Sequence, residues 1–152
     1  MKDLSETSQA DRRGWMSLMA KAPAEALLTA FDAVDLAQEF TWLRAPETGG
    51  VMLRGRAGAT GAAFNLGEMT VTRCALKLAD GRVGHAVVQG RDRRKAEVAA
   101  LCDALMQGAE AGAVRAQVLD PLEAAAGEKA RARAAKAAAT KVDFFTMVRG
   151  EG

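Results

Sequence analysis

EMTVTRCALKLADGRVGHAVVQ, Glu68 to Gln89, is the stretch on which the fold turns. Its first part, residues 68–79, is rich in β-branched side chains and reads as one long strand. RVGHAVVQ reads as another. Asp80-Gly81 lies between them, and an Asp-Gly link joining two strand-like runs predicts a tight antiparallel hairpin of the type I′ kind.

Working outward toward the N-terminus, two more strand-like runs appear. Phe40 and Trp42 alternate with polar neighbours. Glu47-Thr48-Gly49-Gly50 reads as a turn. Val51, Leu53 and Gly55 then alternate with Met52, Arg54 and Arg56, which predicts a strand over 51–57 with one wetter face carrying both arginines. Gly58-Ala59-Thr60-Gly61 breaks it. Before these strands the period is helical. Trp15, Leu18, Met19 and Ala22 recur at i, i+3, i+4 and i+7, one face of an amphipathic helix. Pro23 suits the first position of a second helix, with Leu27, Leu28, Phe31 and Val34 as its apolar side.

On the C-terminal side the helical period returns at Asp92. Val98, Leu101, Cys102, Leu105 and Ala109 share a face, and Gly108 and Gly112 mark the end of that helix. The expected architecture is α+β: an antiparallel sheet of about four strands packed by helices. Asp120-Pro121 resembles a helix start, with Asp as N-cap and Pro first in the helix. The stretch that follows, PLEAAAGEKARARAAKAAATK, has high helix propensity and almost no large apolar side chain. Ala offers little area to bury at about 25 cal/mol per Å². A projecting helical arm is therefore expected, dividing the chain into a core domain over 1–115 and an arm over 116–152. Val142, Phe144, Phe145, Met147 and Val148 end the arm with an apolar docking segment, for this chain's own sheet or for a partner's groove.

The chain has 152 residues and a formal net charge of +2. That is long enough for a hydrophobic core and close enough to neutral to argue against nucleic acid as a partner. Tyr is absent and aromatics make up 5%, so Leu, Val and Met are expected to fill the core. Cys74 and Cys102 both lie among apolar neighbours and read as buried free thiols. The polar N-terminus lacks the apolar core of a signal peptide. No apolar run approaches the roughly 20 residues that span a bilayer. A cytoplasmic location away from the membrane is expected. One His and two scattered Cys do not build a common zinc site, and neither a phosphate-loop nor a nucleophile-elbow motif is present.

Local charge is more informative. Gly90 leads into Arg91, Asp92, Arg93, Arg94 and Lys95, which places four cations at a helix start. The positive end of the helix dipole disfavours them there. Two readings stay open. The cations are solvated and pair with Glu97 and Asp103, or they cradle an anion together with the Gly90 backbone and the first N–H groups of the helix. Asp92 is the expected cap. His85 stands mid-strand and reads as a structural hydrogen-bonder. Glu68 and Arg73 point to opposite faces of their strand and form no dyad.

Taken together and in order, ETGG (47–50), GATG (58–61), GEMTVTRCALKLADG (67–81), GHAVVQGRD (84–92) and VDFFTMVRG (142–150) resemble the PhnG family. This is the small G subunit of the bacterial carbon–phosphorus lyase core complex. RRGWMSLMAKAPAEAL, residues 12–27, fits the same pattern. The resemblance implies a non-catalytic or accessory subunit acting with H and I subunits, assisted by L, to displace adenine from MgATP with a phosphonate. The product is a ribose 1-phosphonate 5-triphosphate. It also implies a symmetric core that includes a J subunit and holds two copies of each chain, with I as the direct partner. No cofactor is expected on this chain, since MgATP is a substrate of the complex. The resemblance carries no catalytic residue over. It leaves Gly90, Arg91, Arg93, Arg94 and Lys95 as candidates for binding either substrate anion or a partner's charge.

Overall fold

The computed structural model describes residues 4–36, 38–58 and 60–141. Two helices open the chain, α1 (Leu4–Lys21) and α2 (Ala24–Asp32). Three strands follow, β1 (Phe40–Arg56), β2 (Ala63–Leu78) and β3 (Val83–Gln89), and then α3 (Arg93–Leu105), α4 (Ala111–Val114) and α5 (Asp120–Ala139). The sheet is an antiparallel meander in the order β1-β2-β3. The architecture is thus α+β, as the sequence predicts.

Side chains alternate across the sheet with period two. Thr72, Cys74, Leu76 and Leu78 of β2, together with Gly84, Ala86 and Val88 of β3, point to one face and are buried there. α3 lies across that face, and ten of its thirteen residues are buried. The predicted single apolar stripe understates this helix. It is enclosed nearly all round, which its many Ala residues permit without crowding. It ends at Leu105, so Ala109 is exposed and does not continue its face. Trp15 and Met19 of α1, with Leu27 and Phe31 of α2, close the core from the other side. Phe40 and Trp42 meet edge to face, with ring centroids 4.9 Å apart.

Four local expectations change. First, Glu47-Thr48-Gly49-Gly50 is not a turn but part of β1, so two expected strands are one and the sheet has three among the described residues. A side chain of the neighbouring strand occupies the space over Gly50, where a Cβ would collide with the Glu68 carboxylate, while a Cβ on Gly49 would make ordinary contact with the Arg73 guanidinium at 3.7 Å. Second, the Asp80-Gly81 hairpin is not type I′, which needs positive φ at both central residues. Only Gly81 has it, at 95°. The Gly81 amide donates to the Leu78 carbonyl (3.0 Å) and the Leu78 amide to the Arg82 carbonyl (2.9 Å), a three-residue loop with glycine in the left-handed position.

Third, Asp120 is not the cap of α5 but its first residue, and the chain before it is already helical. The chain is helical without a break from Ala111 to Ala139, with a π-helical stretch at Arg115–Leu119. A proline inside a helix clashes with the carbonyl four residues back. The wider π turn falls where Pro121 needs that room. Fourth, Pro23 stands at the N-cap of α2 rather than at its first helical position. Val114, Val118, Leu119 and Leu122 bury the beginning of the long helix. From Glu123 to Ala139 every residue except Gly127 is exposed. The apolar segment from Val142 to Val148 lies outside the described residues.

Candidate functional site

The basic helix start is built on the end of β3. Gly90 takes φ 91°, a conformation that a side chain would strain. Its amide donates to the Thr70 carbonyl (2.9 Å), and its carbonyl accepts from the Thr72 hydroxyl (2.8 Å). The Thr72 hydroxyl in turn meets that of Thr48 on β1 at 3.1 Å. The chain then enters α3 under an Asp92 cap, whose carboxylate accepts from the Lys95 amide at 2.9 Å. One carboxylate therefore supplies the negative charge that a helix start favours.

The cations part company. Lys95 is buried, and its ammonium donates to the Ala20 carbonyl at 2.9 Å, pinning α3 to the end of α1. Burial lowers its pKa, with Asp92 opposing that shift. Arg94 pairs with Glu97 at 2.6 Å and reaches Asp32 at 3.8 Å. Asp103, the other expected partner, is occupied elsewhere. Arg91 and Arg93 stay exposed, and neither forms an ion pair among the described residues.

A second polar node escaped the sequence reading. The Asp103 carboxylate is fully buried on α3. It accepts from Arg12 Nε (3.0 Å) and Nη2 (2.7 Å), from Trp15 Nε1 (2.9 Å) and from the His85 amide (2.8 Å). The hydrogen bond to Asp103 raises the Arg12 pKa further. Four donors on one carboxylate tie α1, β3 and α3 together. The His85 ring is exposed on the other side of the strand. The only advance signal was a charge beside the apolar face of a helix. The partners stand up to 91 residues away.

A third node clips the hairpin to the loop after α3. Arg82 donates to Glu110 (2.7 and 3.3 Å) and to Asp80 (2.8 Å), while Gln38 donates to Glu110 at 3.0 Å. Gly108 leaves the Arg82 guanidinium its place, since a Cβ there would run into it. The bonds to Glu110 hold its pKa well below the ordinary 4.5, at about 2, with the Arg82 hydrogen bond the largest cause. A depressed carboxylate pKa contributes stability that is complete above the unfolded-state value and is lost as pH falls through the folded one. The Glu110→Gln variant is therefore expected to lose this contribution at neutral pH and to show a flatter stability profile between about pH 4.5 and pH 2. Urea unfolding across that range measures it. Parallel profiles for the two proteins would contradict the assignment.

Cys74 and Cys102 are buried free thiols. Burial pushes their pKa values up to about 11 and about 12. Thiols so far from ionisation are poor nucleophiles. Among the described residues no group of three His, Cys, Asp or Glu side chains could hold a metal ion, and no helix is long and apolar enough to cross a membrane. The buried charged side chains Lys95 and Asp103 are committed to holding elements together.

Residues 10–150 match the family described as phosphonate metabolism protein PhnG. The chain belongs to the PhnG family. A relative from Rhizobium meliloti (strain 1021) is 44% identical over 155 aligned residues, covering 99% of each chain. That protein is named alpha-D-ribose 1-methylphosphonate 5-triphosphate synthase subunit PhnG. Of the segments that carry the PhnG resemblance, ETGG and GEMTVTRCALKL lie on the β1–β2 pair. GHAVVQGRD runs along β3 into the Asp92 cap. VDFFTMVRG lies outside the described residues.

Proposed function

We propose that this chain is the G subunit of a multi-subunit α-D-ribose 1-methylphosphonate 5-triphosphate synthase, and that it acts as an assembly component without activity of its own. The observation that carries this reading is the 44% identity across 99% of both chains to a protein bearing that name. The structural use of Asp103 and Lys95 supports an accessory role, because these buried charges are already bound within the chain.

In this reading the assembly, with H and I subunits and an assisting L, displaces adenine from MgATP with a phosphonate. J belongs to the same core, and I is the direct neighbour. Reconstitution tests it. Adenine release from MgATP and methylphosphonate is expected from the co-expressed assembly, to be lost when this chain is omitted, and to be absent from this chain alone. Full synthase activity without the chain would overturn it. A direct contribution to anion binding rests on Arg91 and Arg93, which are exposed and in no ion pair among the described residues. It predicts a raised KM with unchanged kcat for Arg91→Glu/Arg93→Glu in the intact assembly, and an unchanged KM would count against it.

A further inference from the structure

β3 ends at Gln89 opposite Val71, and the Gly90 amide makes the last bond to β2, at Thr70. β1 and β2 continue well past that point. Gly50–Arg56 and Ala63–Thr70 form a two-stranded ribbon that leaves the three-stranded sheet behind. A two-stranded hairpin is only marginally stable in water without something packed on it. This one instead displays apolar side chains. Of the six exposed large hydrophobic residues among the described ones, Met52, Leu53, Phe64 and Leu66 are on the ribbon, with Leu66 63% and Phe64 46% exposed.

The two faces of the ribbon differ. Val51 and Leu53 share one face by alternation, and Phe64 joins them as the partner of Gly55. Leu66 is the extra residue of the bulge opposite Leu53 and Arg54, and it lies over Gly55, where a Cβ would strike it. That face is continuous apolar surface. Arg54 and Arg56 point from the opposite face, with Met52 beside them, and neither arginine has an ion-pair partner among the described residues.

β1 is an edge strand along its whole length, and its own bulges, with Pro46 inside the second, lie between Trp42 and Glu47, before the ribbon begins. On the ribbon itself the free edge of β2 is bulged at Leu66. A bulge defends an edge against pairing, so on that side the faces are left to bind.

Area decides between a second copy and a different protein. At roughly 3.3 Å per residue the paired stretch runs about 25 Å, and at about 10 Å wide it offers on the order of 250 Å² per face. Two copies stacked on their apolar faces would bury about 500 Å² in total, the size of a crystal contact rather than a stable interface. A cleft that closes on both faces buries about twice as much and reaches the roughly 1,000 Å² that a specific interface has to clear.

We infer that the β1–β2 ribbon inserts into a cleft of a partner protein, with an apolar wall against Leu53, Phe64 and Leu66 and carboxylates on the wall facing Arg54 and Arg56. This rests on the subunit reading only for the existence of such a partner. The full-length chain, tagged at its N-terminus and co-expressed with the other proposed subunits, provides the test. Phe64→Asp/Leu66→Asp attacks one wall and Arg54→Glu/Arg56→Glu the other. All four side chains are exposed, so both variants are expected to keep the wild-type thermal midpoint as isolated chains. Each is expected to lower the amount of partner retained per chain by at least about tenfold. Wild-type retention by either variant overturns the two-walled cleft while leaving the subunit reading intact. Retention of no partner by the wild-type chain removes the subunit reading and this inference together. A wild-type dimer that Phe64→Asp/Leu66→Asp dissociates would make a second copy the occupant, and that also overturns it.

Discussion

Replacing Asp103 with alanine is expected to destabilise the fold by about 3 kcal/mol, a large share of the roughly 5–15 kcal/mol that holds a domain of this size. The carboxylate is 0% exposed, and Arg12, its ionic partner, is 35% exposed. Removing the acid leaves the buried Trp15 Nε1 and the His85 amide without the acceptor they now share. A buried donor deprived of its partner costs about 1–3 kcal/mol. Arg12 can turn to water, which keeps the total near the lower end of the range for a broken buried pair. The melting temperature should fall by about 10 °C for a chain of this length. Asp103→Asn separates charge from geometry, because an amide oxygen still accepts from one or two donors but cannot hold the guanidinium by two oxygens. Its loss should fall between zero and that of the alanine variant. Urea denaturation of the three proteins decides the matter, and a loss below 1 kcal/mol for Asp103→Ala would show that the node does not bind α1, β3 and α3 together.

Elements whose order depends on local chemistry were legible in the sequence. Trp15 and Met19 share a helical face, Leu27 and Phe31 share the next, and both pairs are buried. Asp92 was readable as a cap because a short acceptor directly before a helical period has few other uses. What escaped depends on contacts distant in sequence. Gly49-Gly50 carries the composition of a turn, yet it is strand, paired with Val71 and Thr70 of β2, and the Glu68 side chain fills the space that a Cβ on Gly50 would take. The alternation that would have shown this is broken by the β1 bulges between Trp42 and Glu47, which shift the faces. Pro121 reads as a helix start only if the widened turn before it is unforeseen.

The basic helix start shows the same division. Four cations in sequence suggested a shared task, yet the structure gives them at least two. Lys95 reaches back to α1 and Arg94 binds carboxylates on α2 and α3, which leaves Arg91 and Arg93 exposed and outside any ion pair among the described residues. Tertiary contacts sorted a cluster that composition could only count. The family, by contrast, was visible from an ordered set of short segments, and the match over residues 10–150 shows it directly.

Gly84 carries the second large effect. It lies on the buried face of β3 opposite Leu76, beneath α3. Its φ is not positive, so a side chain is barred by space rather than by backbone strain. A Cβ there would run into the carbonyl oxygen of Ala100 and reach the Ala104 methyl at 3.0 Å. Neither obstacle yields readily, since one is helix backbone and the other a side chain with no rotamer to change. Gly84→Val must therefore push α3 off the sheet, which strains the packing of Leu101 and Leu105 and the Asp103 bond to the His85 amide together. Overpacking a well-filled core costs about 1–3 kcal/mol, and this position should reach the top of that range. Gly14→Ala is the natural contrast: it lies in α1 with nothing within 4 Å of its would-be Cβ. It should gain up to about 1 kcal/mol from helix propensity. Thermal unfolding of the two variants should move in opposite directions. A Gly84→Val protein as stable as wild type would mean that α3 lies farther from the sheet than these contacts require.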